Sequence, residues 1–211
     1  MKTNTKVLGV SLLFVMFLIG ITSPGVQADS FNLTTGNTDF GVPSPYAHLD
    51  LTVASGTATF VFTALQGGLL NNFAFNTSTD LTLDPGQFTT MPAGWSALTP
   101  SSNLDSYGVF TWEVAAPTSS ASYRVSSFTF VITGLAAEVT AADFEILTGE
   151  VPGTIVGGNG PAMFAAHYYP PNGLETGFID GAVPVPEPGI LILLGIAMSA
   201  VGIVSRYVRK I

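Results

Sequence analysis

Apolar and polar side chains alternate with period two through the middle of the chain, and uninterrupted apolar runs replace that pattern at both ends. Ala47-His48-Leu49-Asp50-Leu51-Thr52-Val53 alternates cleanly, as a strand with one buried face should. Ser55-Gly56 separates it from Thr57 to Leu65, which predicts a tight hairpin. Leu49, Leu51 and Val53 would face inward with Phe60 and Phe62, in a register that alternation alone leaves open. Two further runs, Tyr107 to Val114 and Tyr123 to Ile132, lack proline and are rich in aromatic and β-branched residues. Both are expected to be central antiparallel strands. Leu69-Leu70, Phe73 to Phe75, Phe144 to Thr148 and Ala162 to Tyr169 read as shorter strand pieces, the last stopped by Pro170-Pro171.

Between these runs lie turn formers. Asp84-Pro85-Gly86 is a turn with a mechanism, because proline presets φ and glycine accepts the left-handed position. Pro92 to Ser106 reads as loop, and Gly134 to Asp143 as a short helix or a bulged connection. Asp29 to Pro45, polar and rich in turn formers, reads as an irregular entry into the fold. Asn172 to Ala182 reads as a linker leaving it. No repeat of solenoid or propeller period is present. Many short strands with Gly, Pro and Ser turns predict one all-β domain over residues 29–182, an antiparallel β-sandwich with jelly-roll connectivity as one option.

The ends follow other rules. Residues 1–28 carry Lys2 and Lys6, an apolar stretch from Val7 to Ile21, a helix-breaking Ser23-Pro24-Gly25, and the small-residue frame Val26-Gln27-Ala28. That is the layout of a signal peptide cut by signal peptidase after Ala28. Residues 183–211 begin with a stiff spacer, since Pro184, Pro186 and Pro188 each fix φ and withhold an N–H. Gly189 to Val204 then runs sixteen residues without a charge, about 24 Å as a transmembrane helix. Arg206, Arg209 and Lys210 follow, with Tyr207 among them, a basic end that holds the cytoplasmic side.

Val185-Pro186-Glu187-Pro188, the apolar helix and the basic tail occur in that order at the extreme C-terminus. The arrangement resembles the PEP-CTERM sorting signal of Gram-negative bacteria. The resemblance implies a membrane transpeptidase-like protease, an exosortase, as processing partner. It also implies an inner-membrane-anchored precursor whose body passes to the envelope or the extracellular matrix. The basic cluster is modest, broken by Tyr207 and Val208. The resemblance speaks for the tail and not for the body.

Charge narrows the body's partners. Lys2, Lys6, Arg206, Arg209 and Lys210 lie in the two ends, so residues 29–187 hold all fourteen acids and one cation, Arg124. The net charge of this stretch is about −13, which repels phosphate backbones and offers no counterion release, so nucleic acid is excluded. Cysteine is absent, so in an export compartment that allows disulfides the body must fold on its hydrophobic core alone.

Reactive constellations are scarce. The body has neither a thiol nor a lysine, and no Gly-x-Ser-x-Gly elbow, which removes the common nucleophile arrangements. His48 and His167 are far apart and outside any zinc-binding spacing, and each reads as a strand residue in solvent or hydrogen-bonded at a rim. Gly153 and Gly158 imitate the outer spacing of a phosphate loop, but Asn159 stands in the lysine position. No cofactor is expected. Calcium would require Asp50, Asp80, Asp84 and Asp105 to meet in space without a dedicated loop. Asn32 and Asn76 open formal glycosylation sequons, read as chance. Arg124 is expected to pair with Glu113 across a ladder.

The sequence therefore predicts a non-enzymatic envelope or matrix protein. A second reading makes the body a carbohydrate-binding module for exopolysaccharide, stacking sugar on Trp95, Trp112, Tyr168 or Tyr169. A third makes it a glycan hydrolase drawing on Glu113, Asp143, Glu145 or Glu150.

Overall fold

Strand follows strand because β-branched and aromatic residues at alternate positions need a pleated surface to bury against. The computed structural model describes residues 26–104 and 107–184. In chain order the strands are β1 (Val26–Gly36), β2 (Ala47–Ala54), β3 (Thr57–Ala64), β4 (Leu69–Leu70) and β5 (Asn72–Phe75). There follow β6 (Phe88–Thr89), β7 (Ser96–Leu98), β8 (Gly108–Val109) and β9 (Trp112–Ala115). The last four are β10 (Ser127–Thr133), β11 (Ile155–Val156), β12 (Phe164–Tyr169) and β13 (Gly177–Pro184). The expected signal segment up to residue 25, Val185 to Pro188, the helix 189–204 and Arg206, Arg209 and Lys210 lie outside the described residues. Among the described residues no helix is long and apolar enough to cross a membrane.

The chain is all-β, and every ladder is antiparallel. One sheet runs β6-β10-β3-β2-β1-β13-β12-β5-β9-β7, with β4 on β12 and β8·β11 as a separate ribbon. Both layers of the expected sandwich are parts of this one sheet, which folds over so that its inner face packs on itself. Phe60 of β3 stacks on Phe130 of β10 at 4.5 Å and meets Phe75 of β5 at 5.2 Å. Phe31 of β1 meets Phe164 of β12 edge-on at 5.1 Å. Phe88 of β6 lies 4.8 Å from Trp112 of β9, so the two ends of the sheet approach each other. Each such pair adds about 0.5–1.5 kcal/mol to the burial of its rings. With no cysteine in the chain, this aromatic core carries the stability without help from disulfides.

The β2–β3 hairpin forms as expected. Ser55 (φ 49) and Gly56 (φ 75) make the two-residue turn, and Leu49 faces Phe62 and Leu51 faces Phe60. All four side chains are fully buried.

Two expectations need correction. The supposed irregular entry Asp29 to Pro45 contains most of β1, which starts at Val26 and so also takes in the three residues before the expected cut. The supposed linker Asn172 to Ala182 contains most of β13, which lies between β1 and β12. Both strands carry polar or glycine positions where an apolar alternation would have announced them, and tertiary pairing overrides their weak local preference. Their ladder is interrupted at Thr34 opposite Gly181, whose φ is 85. Across the interruption the facing changes, with Leu33 buried and Thr35 exposed although they are two residues apart. A glycine in the left-handed region permits that turn of the strand.

Smaller differences follow the same logic. Phe144 to Thr148 is not a strand, because a 3-10 turn at Ala141–Phe144 takes its start. The run from Tyr107 to Val114 divides into β8 and β9, and β10 begins only at Ser127, after a 3-10 turn at Ala121–Tyr123.

Candidate functional site

The four rings expected to stack on sugar are all inside the protein. Trp95 is 6 %, Trp112 3 %, Tyr168 0 % and Tyr169 5 % exposed. Trp95 packs on Phe128 at 4.8 Å, Tyr168 sits against Phe40 at 5.1 Å, and Tyr169 is covered by the Arg124 guanidinium 3.7 Å from its ring centre. Stacking needs an open ring face, so these residues act in the core and not as a sugar platform.

The polar residues gather instead on the outer face of β5, β9, β12 and β13. Loops around β8 and β11 cover this face with Leu104, Tyr107, Phe110 and Ala162, packed on Ala74 and Ala165. Glu113 is 3 % exposed. Its Oε1 accepts from Asn72 Nδ2 at 2.8 Å, and its Oε2 accepts from the backbone N–H and the hydroxyl of Ser102 at 3.0 and 2.7 Å. Three donors replace the water that burial removes. The expected pair with Arg124 does not form, because Arg124 lies over the Tyr169 ring of β12 and Glu113 takes its donors from Asn72 and Ser102. Arg124 donates through Nε and Nη2 to the Ser119 carbonyl at 3.2 and 2.9 Å.

His167 lies on the same outer face, between Tyr169 at 4.4 Å and Phe178 at 4.7 Å. Burial first, and the Arg124 charge second, push its pKa down to about 4. Its ring nitrogens meet the Tyr169 hydroxyl at 3.1 Å and Thr176 Oγ1 at 3.2 Å. Thr176-His167-Tyr169 is a hydroxyl–imidazole–hydroxyl chain that the sequence did not announce, since Thr176 fell in the supposed linker. An imidazole held near pKa 4 is a weak base at neutral pH, and the chain activates no nucleophile by that route. His48 is the hydrogen-bonded rim residue expected, with Asn32 Oδ1 at 2.9 Å and Asp50 Oδ1 at 3.1 Å.

Two acids carry raised pKa values. Asp180, 6 % exposed, is pushed up to about 6 by burial, against hydrogen bonding from Tyr107 and Thr35. The Tyr107 hydroxyl lies within reach of Asp180 and Asn159 without completing a well-formed bond, and burial raises its pKa beyond the usual phenol range. Glu145 is pushed up to about 7 by burial and then by the neighbouring Asp29 carboxylate. Asp29 has the same strand parity as Phe31 and Leu33, so it points inward at the start of β1.

Two clefts open at the edges. One, of about 730 Å³, lies where Val26, Gln27 and Val53 meet Leu135 and Val139. The other, of about 510 Å³, is bordered by Asp80, Glu138 and Asp143. Burial would raise Asp143, but hydrogen bonds from the Thr140 backbone, Ser78 and the Thr140 hydroxyl outweigh it and hold the pKa below the ordinary value. Asp143 therefore stays ionised as the cap of a 3-10 turn and supplies no general acid. Among the described residues no three His, Asp or Glu side chains converge as a metal site, and Asp105 lies outside them. Asn76 is fully buried, donating to the Ile146 carbonyl and accepting from the Thr111 N–H, so its sequon is closed to a glycan. No family model, curated protein or solved structure matches this chain.

Proposed function

We propose that the chain is an exported envelope or matrix protein, a sandwich-type β body delivered by signals at its two ends and acting there without catalysis. The observation that carries this reading is the order of three features after β13. Val185-Pro186-Glu187-Pro188, the uncharged run Gly189 to Val204, and Arg206, Arg209 and Lys210 succeed one another with only Ser205 between the run and the first arginine. A sixteen-residue apolar helix is near the lower limit for a span, which suits a temporary anchor. Signal peptidase would act after Ala28 and an exosortase-type protease near Pro186-Glu187-Pro188, on the periplasmic side.

The body supports a structural role by what its polar groups are doing. Glu113 and Asp143 are held by internal donors, and His167 is held neutral between two rings. Burial of all four candidate rings removes the motive for the carbohydrate-binding reading.

Glu187→Ala, expressed in the native host, is expected to accumulate as full-length precursor in the inner membrane. The unaltered protein should appear in outer fractions or medium with Asp29 at its N-terminus and without its tail. Mass spectrometry of both termini reads the result. Recovery of unprocessed chain, Met1 to Ile211, from the cytoplasm would overturn the proposal.

A further inference from the structure

The first strand and the 3-10 turn at Ala141–Phe144 touch at two points. β1 pairs with β2 from Val26 opposite Ala54, through Asp29 opposite Leu51, to Leu33 opposite Ala47. Gln27, Asp29, Phe31 and Leu33 share one parity and therefore one face of the strand, the inner one. At the open end of that face Gln27 Oε1 accepts from the Ala141 N–H at 2.9 Å, which ties the start of the turn to β1. Glu145, the residue that ends the turn, meets Asp29 two positions further along the strand. Neither carboxylate can donate to the other unless one of them keeps a proton. Burial, with the Asp29 charge added, keeps that proton on Glu145 to about pH 7. The other charged groups of the packed elements are engaged elsewhere or exposed. Asp143 is held by Ser78 and Thr140, Glu138 is exposed, and His48 and Asp50 are bonded to each other on the outer face of β2.

The expected cut after Ala28 falls between these two contacts. It removes Gln27 and with it the acceptor of the Ala141 N–H. Hydrolysis of the Ala28–Asp29 peptide bond leaves the new carboxylate on Ala28 and an amine on Asp29, which takes up a proton because an α-amino group has an ordinary pKa of about 7.7–8.0. A neutral amide nitrogen thus becomes a cation. It sits on the same Cα as the carboxymethyl group that meets Glu145, so it enters within roughly 6 Å of that acid, the range over which an opposite charge favours the ionised form. We propose that cleavage moves the tie between β1 and the turn from the first residue of the turn to its last: Gln27 to Ala141 in the uncut chain, the Asp29 ammonium to Glu145 in the cut one. Glu145 passes from an acid that shares a proton to a carboxylate beside a cation, and the cut chain gains a charge pair that its precursor lacks. The contact rests on the packing of β1 against the turn; its formation in the cell rests on the signal cleavage proposed above.

Three chains, each carrying its tail to Ile211 and purified in detergent, separate the effect of charge from that of length. They are the full-length chain, a chain beginning at Asp29 with a free amine, and that same chain acetylated at Asp29. Acetylation restores a neutral amide without restoring Gln27. Carboxyl titration is followed by carbon-13 NMR, with the Glu145 signal identified by its loss in Glu145→Gln. Its midpoint should be about 7 in the full-length and acetylated chains. In the free-amine chain it should be lower by about a unit or more, a tenfold change in proton affinity. The Ala141 amide should exchange slowly in the full-length chain, and about tenfold or more faster in Gln27→Ala and in both shorter chains. One Glu145 midpoint for the free and acetylated chains, or an Ala141 amide equally protected before and after the cut, would overturn the proposal. The expected shifts together with a native chain whose N-terminus is not Asp29 would instead overturn the cleavage and leave the contact intact.

Discussion

At the scale of single residues, three side chains are held away from the protonation they would choose in water, and they pull stability in opposite directions with pH. Glu145 and Asp180 have folded pKa values of about 7 and about 6, above their ordinary values. The folded state therefore binds more protons than the unfolded one from about pH 4 to 7, and stability from these groups grows as pH falls through that window. His167, lowered to about 4, does the reverse: the unfolded chain takes up its proton first, and stability is lost as pH falls from about 6.5 to 4. With two such acids set against one imidazole, the melting temperature of the unaltered chain, residues 26–28 included, should rise on acidification through that range. Glu145→Gln should raise it at pH 7.5 and leave it unchanged at pH 4.5. His167→Asn should make the climb on acidification steeper, by roughly 2–4 °C per kcal/mol regained. Thermal unfolding followed by circular dichroism at several pH values reads all three. Trp95→Ala, by removing a buried ring packed on Phe128, should cost about 3–5 kcal/mol in urea unfolding and change no glycan affinity.

At the scale of elements, the ribbon β8·β11 depends on one glycine. Gly108 has φ 91, and a side chain there would run into the Ile155 carbonyl of the opposing strand. Gly108→Ala should destabilise by more than about 1 kcal/mol and increase protease cutting around β8, the strand that follows Tyr107 where its hydroxyl approaches Asp180. The elements legible in the sequence were those whose alternation is strong and whose turn is chemically marked, the β2–β3 hairpin first among them. β12 was legible for a related reason, since Pro170-Pro171 ends it. β1 and β13 were not. β1 buries only Phe31 and Leu33 fully, with Asp, Ser, Asn and Thr around them. β13 carries two glycines and ends on a proline. Each is specified by its partner strands and not by its own residues, which local reading cannot see. For the same reason Thr176-His167-Tyr169 and the Asp29–Glu145 contact were invisible: each involves a residue in, or immediately before, a strand whose existence was missed. The burial of Trp95 and Trp112 was one of two readings the sequence left open, and only packing decides it.

At the scale of the molecule, β1 and β13 are neighbours running in opposite directions, so Val26 and Pro184 leave the body at the same pole, beside the Ser55-Gly56 turn. A body delivered as proposed would hang from the membrane by that pole, and the far end, with the β2 and β13 starts at Ala47 and Gly177, would point outward. That geometry also sets how the body meets force. A pull applied between the two chain ends would open the β1·β13 seam like a zipper, one rung at a time, whereas a pull across parallel-loaded strands would have to shear every rung together. A domain tethered through its C-terminal end alone escapes this weakness, because its N-terminal strand bears no load.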